Sequence, residues 1–251
     1  MRGEASMGSR GARALDYVSV GEGPDIVVMS GYAMRPSIYL PMARLLADRA
    51  RVVIPAIFQL PDVWTFDHAI DCIELTLEAL DIREMTLLGH SFGGALELGL
   101  AARRPDQTLE CVFSDTISVA KQLRLAREAL SHPLGDLRLA TPAAISSFLR
   151  SWVTHPVQLA SAAISAFSED RSREIERCAG APFPCHVLWA ERDTILARKD
   201  GREFARRLDA TFTVAERPPG YPPIDHDWMF DDPELFVGHL DKLGLRALSG
   251  A

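Results

Sequence analysis

The chain has 251 residues, 47% of them hydrophobic and 24% charged, with a net charge of −7. That balance suits a globular fold with a large core, and the acidic surplus argues against nucleic acid or an anionic membrane as partner. No apolar run approaches the length of a membrane span, and Cys72, Cys111, Cys178 and Cys185 show no metal-ligand spacing; Cys72 and Cys111, in apolar periodic segments, read as buried thiols, a disulfide between Cys178 and Cys185 is not expected, and a reducing, cytoplasmic setting is.

Residues 1–14 are mostly Gly, Ser, Arg and Ala, without the apolar stretch of a secretory signal, and read as a flexible leader. Residues 14–20 alternate modestly, as an edge strand does. The run Ile26-Val27-Val28-Met29 is apolar throughout and predicts a strand buried on both faces. It leads into Ser30-Gly31-Tyr32-Ala33, a loop at a strand's carboxyl end. Residues 36–46 have a helical pattern with Pro36 suited to a first turn, and Val52-Val53-Ile54 is the next buried strand. Residues 65–80 form an amphipathic helix whose stripe is Ile70, Ile73, Leu77 and Leu80. A strand from Met85, a helix through Leu96, Leu98 and Leu100, and a strand over 109–113 follow. Strand and helix thus alternate from residue 26 to 113, the pattern of a parallel sheet with helices on both faces.

The alternation stops at residue 117. Residues 117–179 show only helical patterns broken by Pro133, Pro142 and Pro156, which predicts a helical cap. Its apolar residues, among them Leu123, Leu130, Ile145, Phe148, Leu149, Trp152, Ile164 and Phe167, are expected mainly in its core or its seal. The sheet resumes with a strand over 186–190, a helix over 197–208, a short strand over 211–215 and a closing helix over 233–245. The expected organisation is a leader (1–14), a core domain (15–116 and 181–251) and an inserted cap (117–180).

Chemistry concentrates at Gly89-His90-Ser91-Phe92-Gly93, set between a strand and a helix. The spacing Gly-x-Ser-x-Gly there predicts a nucleophile elbow, with Ser91 strained at the apex and glycines leaving room around it. A serine hydroxyl needs a base, and the base needs an orienting carboxylate, both on loops after later strands. Of His132, His155, His186, His226 and His239, only His226 falls between the last strand and the last helix. Asp193, after the 186–190 strand, is the first choice of acid and Asp115 the runner-up. Glu191 is expected to pack or pair with Arg192, and Asp225 and Asp227 to shape the loop or to be solvated.

The segments Gly89-His90-Ser91-Phe92-Gly93-Gly94, Trp189-Ala190-Glu191-Arg192-Asp193 and His226-Asp227-Trp228-Met229 together resemble the alpha/beta-hydrolase fold superfamily over nearly the whole chain. The resemblance implies an α/β fold: a mostly parallel sheet with helices on both faces and a helical cap insertion. It also implies Ser91 as nucleophile, His226 as base and Asp193 as its orienter. Oxyanion donors would be the N–H groups of Phe92 and of Tyr32, with Ala33 as the alternative to Tyr32. Family members usually carry His-Gly where Ser30-Gly31 stands, and an aspartate with glycines in the region of residues 53–57; this chain departs at both places. Dehalogenases and epoxide hydrolases of the fold use an aspartate where Ser91 stands, so serine points to acyl transfer to water.

The expected function is a serine esterase acting on a small to medium, mainly apolar ester, thioester or lactone through an acyl-enzyme. Alternatives are a carbon–carbon bond hydrolase or cofactor-free lyase on the same residues, and a non-catalytic ligand-binding or receptor protein. No metal or organic cofactor is expected; the expected partner is a small-molecule substrate, and the chain a monomer or homodimer.

Overall fold

A computed structural model describes residues 11–60, 63–116 and 141–249, without the side chain of Phe167. Residues 1–10 of the expected leader and 117–140 of the expected cap, with Leu123, Leu130 and His132, lie outside the described residues.

Seven strands form one sheet: β1 (Tyr17–Val20), β2 (Asp25–Met29), β3 (Arg51–Pro55), β4 (Met85–His90), β5 (Thr108–Ser114), β6 (Cys185–Ala190) and β7 (Thr211–Ala215). Their order is β1-β3-β2-β4-β5-β6-β7; β1 runs antiparallel and every other pairing is parallel. The chain moves outward from β2 to β3, then crosses back to β4 on the other side of β2. Ligand crevices in open parallel sheets lie at the strand carboxyl ends beside such a reversal. The register sets Met29 against Gly89, His90 against Ser114, and Ala190 against Ala215. The loops leaving β2, β4, β5 and β6 therefore emerge side by side.

The central strands are buried on both faces, as their unbroken apolar runs require. Val27, Met29, Val53 and Leu87 pack with α2 (Phe66–Ala79), α3 (Gly93–Arg103) and α7 (Arg198–Leu208). Ile26, Val28, Val52, Ile54 and Leu88 face α1 (Leu40–Leu46) and α9 (Pro233–Leu243). Thr65 caps α2, its hydroxyl accepting the His68 N–H at 3.2 Å. Arg103, the last residue of α3, and Arg104 just after it pair with Asp67, Asp71, Glu74 and Glu78 on α2, tying the elbow helix to its neighbour.

Between β5 and β6 the described residues form α4 (Pro142–Thr154), α5 (Pro156–Ser168) and α6 (Ser172–Ala179). The first two touch the loops after β2 and β3. Ser147 Oγ accepts the Arg35 N–H, Ser161 Oγ accepts the Trp64 N–H, and Leu159 O accepts the Tyr32 hydroxyl, at 2.8–2.9 Å. Phe148 and Trp152 pack against the core, whereas Leu149 and Ile164 are exposed and seal nothing among the described residues. By contrast α6 belongs to the helix layer on the sheet: it packs on α3 and α7 and buries Ile175 and Cys178. A short helix absent from the sequence pattern, α8 (Trp228–Asp231), begins two residues after His226. All four cysteines are buried thiols outside any disulfide.

Candidate active site

Ser91 sits between β4 and α3 with φ of 52°, a left-handed backbone that costs a non-glycine residue about 1–3 kcal/mol. The surroundings hold it there. Its N–H donates to Ser114 O at 3.0 Å, and its carbonyl accepts from the Gly94 N–H and the Thr116 hydroxyl, each at 3.2 Å. A Cβ at Gly93 would collide with the Met29 carbonyl, so the elbow closes onto β2 only with glycine there. Ala33, in the loop after β2, and Asp115, just after β5, are also left-handed, with φ of 60° and 44°.

His226 and Asp193 meet as the sequence reading expects. Asp193 Oδ2 lies 2.9 Å from His226 Nδ1, while its Oδ1 accepts the Ile195 and Leu196 N–H groups at 2.8 and 2.7 Å. Both side chains are buried. Burial works against the Asp193 charge, but His226 and the two backbone N–H groups outweigh it and hold the carboxyl below its usual range. Burial likewise opposes a charge on His226, and Asp193, with Asp227 and Asp115 behind it, outweighs burial and raises the imidazole. No hydrogen bond joins Ser91 Oγ to His226 among the described residues; such contacts commonly tighten only when substrate is bound.

The runner-up acid, Asp115, is fully buried and close by: one donor atom each from Asp115, Asp193 and His226 lies within 4.8 Å of the others. Its oxygens are already engaged. Oδ1 accepts the Ala190 N–H at 2.8 Å, and Oδ2 accepts Trp228 Nε1–H at 2.6 Å and bonds the Ser114 hydroxyl. Burial and the neighbouring Asp193 push its carboxyl up, so Asp193 is the better anion of the two. A second such group comprises His90, His226 and Asp227. In both groups most donor atoms are taken up by hydrogen bonds, including both ring nitrogens of His90, which makes poor ready-made metal sites.

Glu191 does not pair with Arg192. Its Oε1 accepts the Arg217 and Ile224 N–H groups, each at 3.2 Å, and so braces the loop that carries His226. Asp225 shapes the same loop, with Oδ1 accepting the Thr194 and His226 N–H groups. His239 is a packing residue, edge-on to Trp228. His155 and His186 bond neighbouring threonine hydroxyls.

At the loop after β2, Gly31 O accepts the Met34 N–H at 3.0 Å, closing a turn over Tyr32 and Ala33. The N–H groups of Tyr32 and Phe92 have no hydrogen-bond partner among the described residues. Ser30 is buried and its hydroxyl is unpartnered. Aromatic rings crowd this side of the elbow: Phe92 stacks on Phe66 at 5.1 Å and contacts Tyr32, Phe58 and Trp64 at 5.2–5.7 Å. Two of these rings, Phe58 and Trp64, follow shortly after residues 53–57, where the sequence departs from the family pattern.

A parallel sheet with a strained serine on a strand-to-helix turn, and a carboxylate-bound histidine beyond the last strand, defines the alpha/beta-hydrolase class of fold. The chain belongs to the alpha/beta hydrolase family, whose model matches residues 26–239. Among curated relatives, a cis-3-alkyl-4-alkyloxetan-2-one decarboxylase of Shewanella oneidensis is 28% identical over 118 residues, 43% of this chain. That match spans 37% of the relative's length. Among solved structures, a thermophilic esterase from Thermogutta terrifontis superposes with a TM-score of 0.73 at 17% identity, covering 93% of this chain and 94% of the other. An enol-lactonase from Burkholderia xenovorans LB400 gives 0.66 at 18% identity, covering 91% and 95%.

Proposed function

We propose that the protein is a serine hydrolase that cleaves a small to medium, mainly apolar carboxylic ester, thioester or lactone. Ser91 Oγ attacks the carbonyl carbon while His226 Nε2 takes its proton. Asp193 holds the Nδ1–H of His226 and stabilises the imidazolium. The tetrahedral oxyanion is held by the N–H groups of Phe92 and Tyr32, worth about 3 kcal/mol each by the precedent of single-donor deletions. The alcohol or thiol takes the proton from His226 and leaves, or in a lactone stays attached as the hydroxyl of the acyl group, and water repeats the cycle on the acyl-enzyme.

The observation that carries this reading is the buried 2.9 Å pair of Asp193 and His226, with His226 packed against His90, the neighbour of the strained Ser91. That arrangement suits neither a packing histidine nor a plain helix-capping serine. The test is turnover of a short-chain aryl ester by the wild type and by Ser91→Ala at matched thermal stability. Loss of turnover in the variant supports the reading; full activity in it refutes it.

A second reading, carbon–carbon bond hydrolysis or cofactor-free lysis on the same residues, draws on two observations. One is the Shewanella relative, named as a decarboxylase; the other is Ser30, which leaves the oxyanion loop without a histidine. Activity on a diketone or cyanohydrin, with none on a panel of esters, thioesters and lactones, would favour it.

A further inference from the structure

The loop that would bind the oxyanion lacks a histidine at residue 30, and the Ser30 hydroxyl holds nothing among the described residues. Something else must fix the loop. Two side chains outside the Ser91, His226 and Asp193 set lie directly behind it. Tyr39, at the end of the short 3₁₀ turn before α1, is fully buried, and its hydroxyl accepts the Gly31 N–H at 2.8 Å. The same hydroxyl lies 2.9 Å from Nδ1 of His90, also buried. The other ring nitrogen of His90, Nε2, lies 3.0 Å from the carbonyl oxygen of His226.

Chemistry orients every proton in this chain. A carbonyl only accepts, so His90 Nε2 carries the hydrogen. Burial, with His226 adding to it, lowers the His90 imidazole to about 3, so the ring is neutral and Nδ1 is a lone pair. Tyr39 therefore donates its O–H to Nδ1, and its oxygen is free to accept from Gly31. The packing is close, since a Cβ on Gly31 would sit 2.9 Å from His90 Nδ1. From the other side, the Tyr32 hydroxyl donates to Leu159 O on α5.

We infer that Tyr39 and His90 are positioning residues: one uncharged relay, Gly31 N–H to Tyr39 to His90 to His226 C=O, sets the oxyanion loop and the base loop against the nucleophile elbow. The relay also occupies the Gly31 N–H, leaving Tyr32 and Ala33 as the loop's possible donors. It rests on the proposed roles of Ser91 and His226 for its catalytic meaning, but not for its geometry. Because the relay is neutral, it adds no charge beside His226. A protonated His90, whose ring centroid is 5.1 Å from that of His226, would oppose the imidazolium.

The test is Tyr39→Phe, which removes one oxygen and keeps the ring, together with His90→Gln and the double variant. Two readouts separate the relay from the reaction. Hydrogen exchange by mass spectrometry reads residues 30–35 and 224–228 with no reference to activity. Kinetics on an aryl ester, normalised to the serine titrated by a fluorophosphonate, reads kcat and KM per active site. The expected result is faster exchange in both segments and a kcat lower by about tenfold to a hundredfold, the scale for a modest misplacement of catalytic groups. KM stays within about twofold, and the double variant loses little more than the worse single variant, as groups acting as a unit do. Unchanged exchange in Tyr39→Phe, or a loss confined to the fraction of titratable serine, overturns the inference. Relay-dependent exchange in a wild type that never labels at Ser91 would support the brace and count against the nucleophile.

Discussion

Replacing Asp193 with asparagine is the sharpest perturbation of the site, because it changes one atom's chemistry and little of the packing. Asp193 Oδ1 accepts two backbone N–H groups, from Ile195 and Leu196, and an amide oxygen can keep both. The other position, 2.9 Å from His226 Nδ1, becomes an NH2. An NH2 donates, so Nδ1 must accept and the ring proton moves to Nε2, the nitrogen proposed to take the Ser91 proton, which then has no lone pair for it. The anion that stabilises the imidazolium is lost in the same step. A change of this kind costs about 10⁴-fold in kcat, or about 5 kcal/mol of transition-state stabilisation. Asp115 does not rescue it, since its oxygens are committed to Ala190, Trp228 and Ser114. Asp193→Ala, by contrast, orphans the two N–H groups at about 1–3 kcal/mol each and should lower the melting temperature as well. Steady-state kinetics and thermal melts of both variants check this. A kcat for Asp193→Asn within tenfold of wild type, with a four-decade loss in Asp115→Asn instead, would refute the assignment of the acid.

Two further predictions concern pH. The base must be neutral to act, and Asp193 outweighs burial to raise His226, so activity falls as pH drops through a value above the ordinary 6.5; the acidic limb of kcat/KM should lie above pH 6.5 and move down in Asp193→Asn. Glu97, on the elbow helix, is fully buried with Oε1 on the Val112 N–H at 2.9 Å and Oε2 unpartnered, and burial pushes its carboxyl well above 4.5. The unfolded chain then ionises this group first, so its contribution to stability is full below about pH 4.5 and is lost as pH rises toward the folded value. Glu97→Gln should melt several degrees above wild type at pH 8, the gap closing toward pH 4; an equal gap at both pH values would contradict this.

Much of the fold was legible because it rests on local patterns. Short unbroken apolar runs rich in β-branched residues between turn signals, such as Ile26-Val27-Val28-Met29, suit strands buried on both faces, and the stripe of residues 70–80 suits an amphipathic helix. The elbow was legible because its glycines and serine carry a steric requirement. The meeting of Asp193 with His226 followed from topology, since parallel strands deliver their following loops to one edge. Other contacts were not legible. Tyr39 and His90 are 51 residues apart and meet only through tertiary packing. His90 lies inside the elbow motif, yet nothing local says that its ring bridges two loops. The hydrogen-bond partners of Glu191 were hidden for the same reason: Arg217 and Ile224 lie across the fold, while Arg192 is merely adjacent in sequence. The exposure of Leu149 and Ile164 runs against their helical pattern, which marks an apolar face without saying what lies against it.

The central claim is that Ser91 is an activated nucleophile, and a fluorophosphonate probe tests it most directly. The probe is incubated with the wild type, with Ser91→Ala and with a heat-denatured sample, and adducts are mapped by peptide mass spectrometry. The account predicts one adduct per chain on the peptide carrying Ser91, none in Ser91→Ala and none after denaturation. A folded wild type that takes up no probe, or takes it up at another residue, would contradict it.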